Sequence, residues 1–158
     1  MTTEAVSAAT DIVYAIVARL KDEDGPMLPI LHAVQDALGC VPPEAVRVIA
    51  SELNLTRAEV HGIVTFYHDF RQELPGRHVI KMCRAEACQS MGGEALVTRV
   101  EQQLGVTCGH TTADGNVTLE SIYCLGLCAT APSAMVDQRP VARLTAAKVD
   151  ALLKAVNA

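Results

Sequence analysis

His78-Val79-Ile80-Lys81-Met82-Cys83-Arg84-Ala85-Glu86-Ala87-Cys88 is the stretch on which the fold turns. Residues 78–82 read as a buried strand that delivers Cys83 at its end, and Cys88 closes a Cys-x₄-Cys pair. Residues 94–104 then carry a helical pattern. Asp114, Gly115 and Asn116 mark a turn, and residues 117–123 read as a second strand ending at Cys124 of Cys124-Leu125-Gly126-Leu127-Cys128. Further on, residues 134–136 and 141–143 flank a turn at 137–140, and residues 145–156 form an amphipathic helix. Strand, helix, strand, hairpin and helix predict a small α/β sandwich.

Working back from His78, the pattern changes around Leu74, Pro75 and Gly76, which places a boundary between a domain at 1–74 and a domain at 75–158. The first domain reads as four short helices. Val13, Ile16, Val17 and Leu20 recur on one helical face that Gly25 and Pro26 end. Ile30, Val34 and Leu38 make a second stripe closed by Gly39, a residue suited to the left-handed position after a helix. Pro43 fits a first helical position ahead of Val46, Ile49, Ala50 and Leu53. Thr56 and Glu59 have the spacing of a capping box before Val60, Ile63 and Val64.

The 158 residues are 50% apolar and 20% charged, enough apolar surface to offset the entropy of ordering the chain. Aromatics make up 3%, which leaves little for a base-stacking platform, and a formal charge of -5 repels a phosphate backbone. Nucleic acid is therefore not an expected partner. The apolar run at residues 12–18 is well short of the roughly 20 residues a membrane span needs, so no direct membrane insertion is expected. Residues 1–11 hold Glu4 and no basic residue, unlike a secretory leader, which makes a cytoplasmic, reducing location the expectation. There, six cysteines read as ligands or buried thiols rather than disulfides.

Both cysteine pairs are expected on loops just after strands. A [2Fe–2S] rhomb takes two thiolates on each iron, so two loops that each present a pair match its needs, and Gly92, Gly93 and Gly126 permit the tight turns that aim N–H groups at sulfur. Spacing alone keeps a second reading open, a Cys₄ zinc site in a structural adaptor. Cys40 and Cys108 have no paired neighbour and read as buried or half-buried thiols. His32, His61, His68, His78 and His110 form no ligand pattern. There is no glycine-rich nucleotide fingerprint and no phosphate loop.

Val60-His61-Gly62-Ile63-Val64-Thr65-Phe66-Tyr67, followed by Pro75-Gly76-Arg77-His78-Val79-Ile80 and the two pairs, resembles the 24 kDa-type subunit of NADH dehydrogenases. That resemblance implies an N-terminal helical bundle, expected to dock a partner, followed by a thioredoxin-like ferredoxin domain. It implies one [2Fe–2S] cluster on Cys83, Cys88, Cys124 and Cys128, with FMN, NAD and any molybdenum cofactor on partner subunits. The chain would then conduct electrons between a flavin- and NAD-binding subunit and a catalytic subunit, with no activity alone. Complex I and NAD-linked hydrogenases hold such subunits. The first ligand loop, with Arg84 and Glu86 and then Gln89-Ser90-Met91-Gly92-Gly93, departs from the complex I form. Together with Cys124-Leu125-Gly126-Leu127-Cys128-Ala129-Thr130-Ala131-Pro132 it is similar to the gamma subunit of NAD-dependent formate dehydrogenase, the branch the resemblance favours. Arg84 and Glu86 would act on the cluster potential with opposite sign.

Overall fold

Helices α1 (Thr3–Leu20), α2 (Met27–Leu38), α3 (Pro43–Glu52) and α4 (Arg57–Phe66), followed by an irregular segment, form a first unit that ends at Leu74 in the computed structural model, which describes residues 3–157. α1 is 18 residues long rather than short, because Thr3 to Thr10 contains no Gly or Pro to stop it. Gly39 ends α2 at φ 79°, and its N–H bonds the Gln35 carbonyl at 2.7 Å. Pro43 opens α3, and Thr56 and Glu59 form the reciprocal capping box that starts α4. Val13, Val17, Ile30, Leu31, Val34, Ile49, Val60 and Val64 interlock as the core of this unit. Burying each is worth about 1.5–3 kcal/mol before entropy is counted. The buried Gln35 amide satisfies both its ends on the segment beyond α4, donating to the Asp69 carbonyl at 2.8 Å and accepting from the Arg71 N–H at 2.7 Å.

A second unit begins at Pro75. It holds β1 (His78–Cys83), α5 (Glu86–Ser90), α6 (Gly93–Leu104), β2 (His110–Thr111), β3 (Val117–Ile122), a 3-10 turn at Cys128–Thr130, β4 (Ala134–Val136), β5 (Arg139–Val141) and α7 (Ala146–Val156). The sheet order is β2-β3-β1-β4-β5. β1 and β3 are parallel, in register from His78 opposite Val117 to Cys83 opposite Ile122, and the other pairings are antiparallel. Ile80, Met82, Val117 and Leu119 of the sheet share one core with Val97 and Val100 of α6 and Val149 and Leu153 of α7. Arg99 of α6 forks onto Asp150 of α7 at 2.7 and 2.8 Å. That guanidinium, with Gln103, holds the Asp150 carboxyl down to about 2, so the tie stays charged throughout the neutral range.

The hairpin differs from the sequence expectation. The second strand is Arg139–Val141 rather than 141–143, and the turn is only Asp137 and Gln138, at φ 46° and 70°. Two left-handed residues are what a two-residue hairpin turn requires. Pro140 read as a turn residue, yet it lies in an edge strand opposite Met135. In such a hairpin the Val136–Arg139 pair that closes the turn carries the ladder bonds, and the next pair does not, so Pro140 loses no hydrogen bond there.

Candidate metal centre

Because β1 and β3 run parallel and end together, their carboxyl ends deliver Cys83 and Cys124 to the same edge of the sheet. Cys83 is the last residue of β1, Cys88 lies within α5, and Cys128 opens the 3-10 turn, so only Cys124 sits on an irregular loop. The expectation that both pairs occupy loops is corrected to that extent. α5 has five residues, too few for a readable period.

The first pair is buried, with Cys83 at 4% and Cys88 at 2% exposure, whereas Cys124 and Cys128 are exposed. Cys124 Sγ and Cys128 Sγ are 3.6 Å apart, close to the roughly 3.7 Å that separates two thiolates on one tetrahedral metal of 2.3 Å bonds. Cys124 adopts φ 92°, a left-handed conformation uncommon outside glycine, and Gly126 at φ 77° completes the reversal. Its N–H donates to Cys124 Sγ at 3.4 Å.

Burial alone would push the Cys83 thiol up. The Ala85, Leu125 and Cys124 N–H groups and the Cys88 thiol hydrogen-bond to that sulfur, and together they hold it below the ordinary thiol range. Cys128 is pushed up, first by its hydrogen bond with Cys124 and then by the negative charge of Cys124, Cys88 and Cys83. The four sulfurs thus share one electrostatic neighbourhood, and their mutual repulsion is what a bound cation relieves. Among the described residues no three or more His, Cys, Asp or Glu side chains stand as the ligand shell of a single metal ion. A rhomb has two irons, each with its own thiolate pair, and the thiols here stand as two pairs. All-thiolate donors, pairs on facing segments and N–H groups aimed at sulfur fit that group.

Two neighbours of the site carried no signal in the sequence. Ser133 is buried at 2%, its hydroxyl is 3.6 Å from Cys88 Sγ, and its carbonyl accepts the Cys83 N–H at 3.1 Å. Glu94 pairs with Arg84 by two contacts of 2.8 and 3.1 Å. Glu86, the other charge of the first loop, is exposed. Cys40 is buried among the helices of the first unit, and Cys108 is half-buried between Glu101, Ser121 and Arg84, its thiol pushed up chiefly by desolvation. His78 bonds Asp137 at 2.6 Å, His110 bonds Thr107 at 3.1 Å, and His32 lies against the Phe70 ring at 4.9 Å. Among the described residues no helix is long and apolar enough to cross a membrane.

The family described as thioredoxin-like [2Fe-2S] ferredoxin matches residues 13–157. A component of the Mycobacterium tuberculosis NADH-quinone oxidoreductase is 38% identical over 122 residues, 77% of this chain, which spans 48% of that relative's length. A component of the corresponding Rhizobium meliloti enzyme is 36% identical over 92% of this chain and 87% of its own length. The HndA component of the NADP-reducing hydrogenase of Solidesulfovibrio fructosivorans is 29% identical over 89% and 82%. Among solved structures, the NAD+-reducing [NiFe]-hydrogenase in its air-oxidized state superposes with a TM-score of 0.69 at 28% identity, over 80% of this chain and 22% of that one.

Proposed function

The chain belongs to the thioredoxin-like [2Fe–2S] ferredoxin family, and from that premise we propose that it carries one cluster on Cys83, Cys88, Cys124 and Cys128 and conducts electrons within an NAD-linked oxidoreductase. The observation that carries this reading is the convergence of two thiol pairs at the paired ends of parallel β1 and β3. When bound, the cluster supplies reversible one-electron chemistry. The chain's own residues do the rest. Cys83 and Cys88 anchor one side out of water, the N–H groups of Ala85, Cys124, Leu125 and Gly126 donate to sulfur and ease the negative charge there, and the exposed Cys124–Cys128 side lies at the surface where an electron can cross.

In this proposal a flavin-bearing, NAD-binding subunit exchanges electrons with the chain, and a separate subunit holds the second substrate's site. The domain at 1–74 serves as the docking element, a role its outward-facing Phe66, 72% exposed, supports. NADH dehydrogenase and NAD(P)-linked hydrogenase complexes are the types the named relatives favour. Formate dehydrogenase stays as a second reading, supported by the sequences of the two ligand segments. Purification of the native complex from its source, with each polypeptide identified, is the test. A flavin-binding partner is expected, accompanied by quinone-linked, hydrogenase or molybdenum-binding polypeptides according to the type, and NADH should not be oxidised by the chain alone. Isolation of the chain free of any flavin-binding partner, or NADH oxidation by the chain on its own, would overturn the proposal.

A further inference from the structure

Arg84 stands next to Cys83, and its side chain leaves the ligand loop for α6. Its Nε lies 3.1 Å from one Glu94 oxygen and a terminal nitrogen 2.8 Å from the other, a fork-to-fork contact that fixes orientation as well as distance. The Arg84 main chain is held too: its N–H donates to the Ile122 carbonyl at 2.9 Å, and its carbonyl accepts from Gln89 Nε2 at 2.8 Å. Glu94 lies in the first turn of α6, where the helix dipole favours a carboxylate. It follows Gly93, whose added Cβ would stand 2.6 Å from the Cys88 carbonyl oxygen. One ion pair therefore closes the segment carrying Cys83 and Cys88 onto the helix that abuts Cys88. The second thiol pair is braced from within its own turn, by the Gly126 N–H on Cys124 Sγ and by the Thr130 hydroxyl on the Leu127 carbonyl.

We propose that the Arg84–Glu94 pair is a clasp on the first ligand loop, with Arg84 a positioning residue that holds Cys83 and Cys88 for the cluster. The proposal rests on the cluster reading above. It also changes the electrostatic expectation for the loop: Arg84 is neutralised by Glu94 rather than by Glu86, so its charge does not act alone on the cluster. Both side chains are partly exposed, at 33% and 47%, and a pair so placed contributes little to global folding. Its effect is sought at the loop.

The test uses the full chain reconstituted with iron and sulfide, as wild type, Arg84→Lys, Glu94→Gln, the double variant Arg84→Gln/Glu94→Gln, and Arg99→Lys. Arg99 makes a fork of the same chemistry on Asp150 away from the ligand loop, and so controls for general loosening. The rate of cluster bleaching by a chelator and the midpoint potential from an EPR-monitored titration are both read. Arg84→Lys and the double variant should bleach about two- to fivefold faster, the range set by one fork contact at a partly exposed site. Arg99→Lys should bleach at the wild-type rate. Glu94→Gln should raise the potential by leaving the guanidinium unpaired, and the double variant should bring it back toward wild type while still bleaching fast. Wild-type bleaching in Arg84→Lys and the double variant, or equal acceleration in Arg99→Lys, overturns the clasp alone. A wild-type chain that takes up no cluster overturns the cluster reading and the clasp with it.

Discussion

Serine in place of Cys83, Cys88, Cys124 or Cys128 should lower bound iron and sulfide, or alter the cluster spectrum, whereas serine at Cys40 or Cys108 should leave both as in wild type. The reason is donor chemistry. A thiolate is soft and forms near neutral pH, while a serine hydroxyl stays protonated and binds iron weakly. Loss of an outer-shell partner of a metal site already costs about 10- to 100-fold in affinity, and loss of a direct ligand should cost at least that. The substitutions should differ in their side effects. Cys88→Ser puts a hydroxyl in a buried site beside the Ser133 hydroxyl, which can partner it, so the fold should survive. Cys124→Ser and Cys128→Ser alter exposed positions and should leave the apo fold intact. Cys40 is buried in the first unit and Cys108 is half-buried against Glu101, Ser121 and Arg84, and neither belongs to the two thiol pairs. Iron and sulfide analysis of all six variants checks this, and equal loss from Cys108→Ser would show that the ligand set is wrongly drawn.

Gly93→Ala should destabilise the second unit by about 1–3 kcal/mol and lower its capacity for the cluster, although alanine is ordinarily the better helix former. The added Cβ would stand 2.6 Å from the Cys88 carbonyl oxygen, closer than atoms tolerate, and a tight 3.0 Å from its carbon, and both belong to the main chain. Either α6 or α5, which contains Cys88, must shift. Gly62→Ala provides the opposite case: it lies inside α4 with nothing within 4 Å of an added Cβ, so it should stabilise the first unit by about 0.5–1 kcal/mol. Denaturant unfolding of the two variants, with iron content measured on each, separates the effects. A stabilised, fully loaded Gly93→Ala protein would contradict the packing at Cys88.

Signals that act over a few residues appear as read: the Thr56–Glu59 capping box, the left-handed Gly39 after α2, Pro43 at the start of α3, and Cys83 at the end of β1. Each is a local hydrogen-bonding or steric rule that needs no knowledge of the rest of the chain. The missed features depend on partners far along the chain or on elements too short to have a period. β2 has two residues and is visible only through its pairing with β3. Pro140 reads as a turn until its edge position opposite Met135 is known. Nothing in the spacing links Arg84 to Glu94 rather than to the nearer Glu86, because that choice is made by the direction of α6. Ser133 is likewise unremarkable in sequence, and becomes significant only when β4, which follows it, pairs with β1 and brings it to Cys88 and Cys83.

Metal and sulfide analysis of the wild-type chain, produced anaerobically and paired with EPR of its reduced form, bears most directly on the central claim. One cluster on Cys83, Cys88, Cys124 and Cys128 gives about two irons and two acid-labile sulfides per chain, and a reddish-brown protein whose signal appears on one-electron reduction. Stoichiometric zinc without iron or sulfide, in a colourless protein purified anaerobically from its native cells, would contradict it.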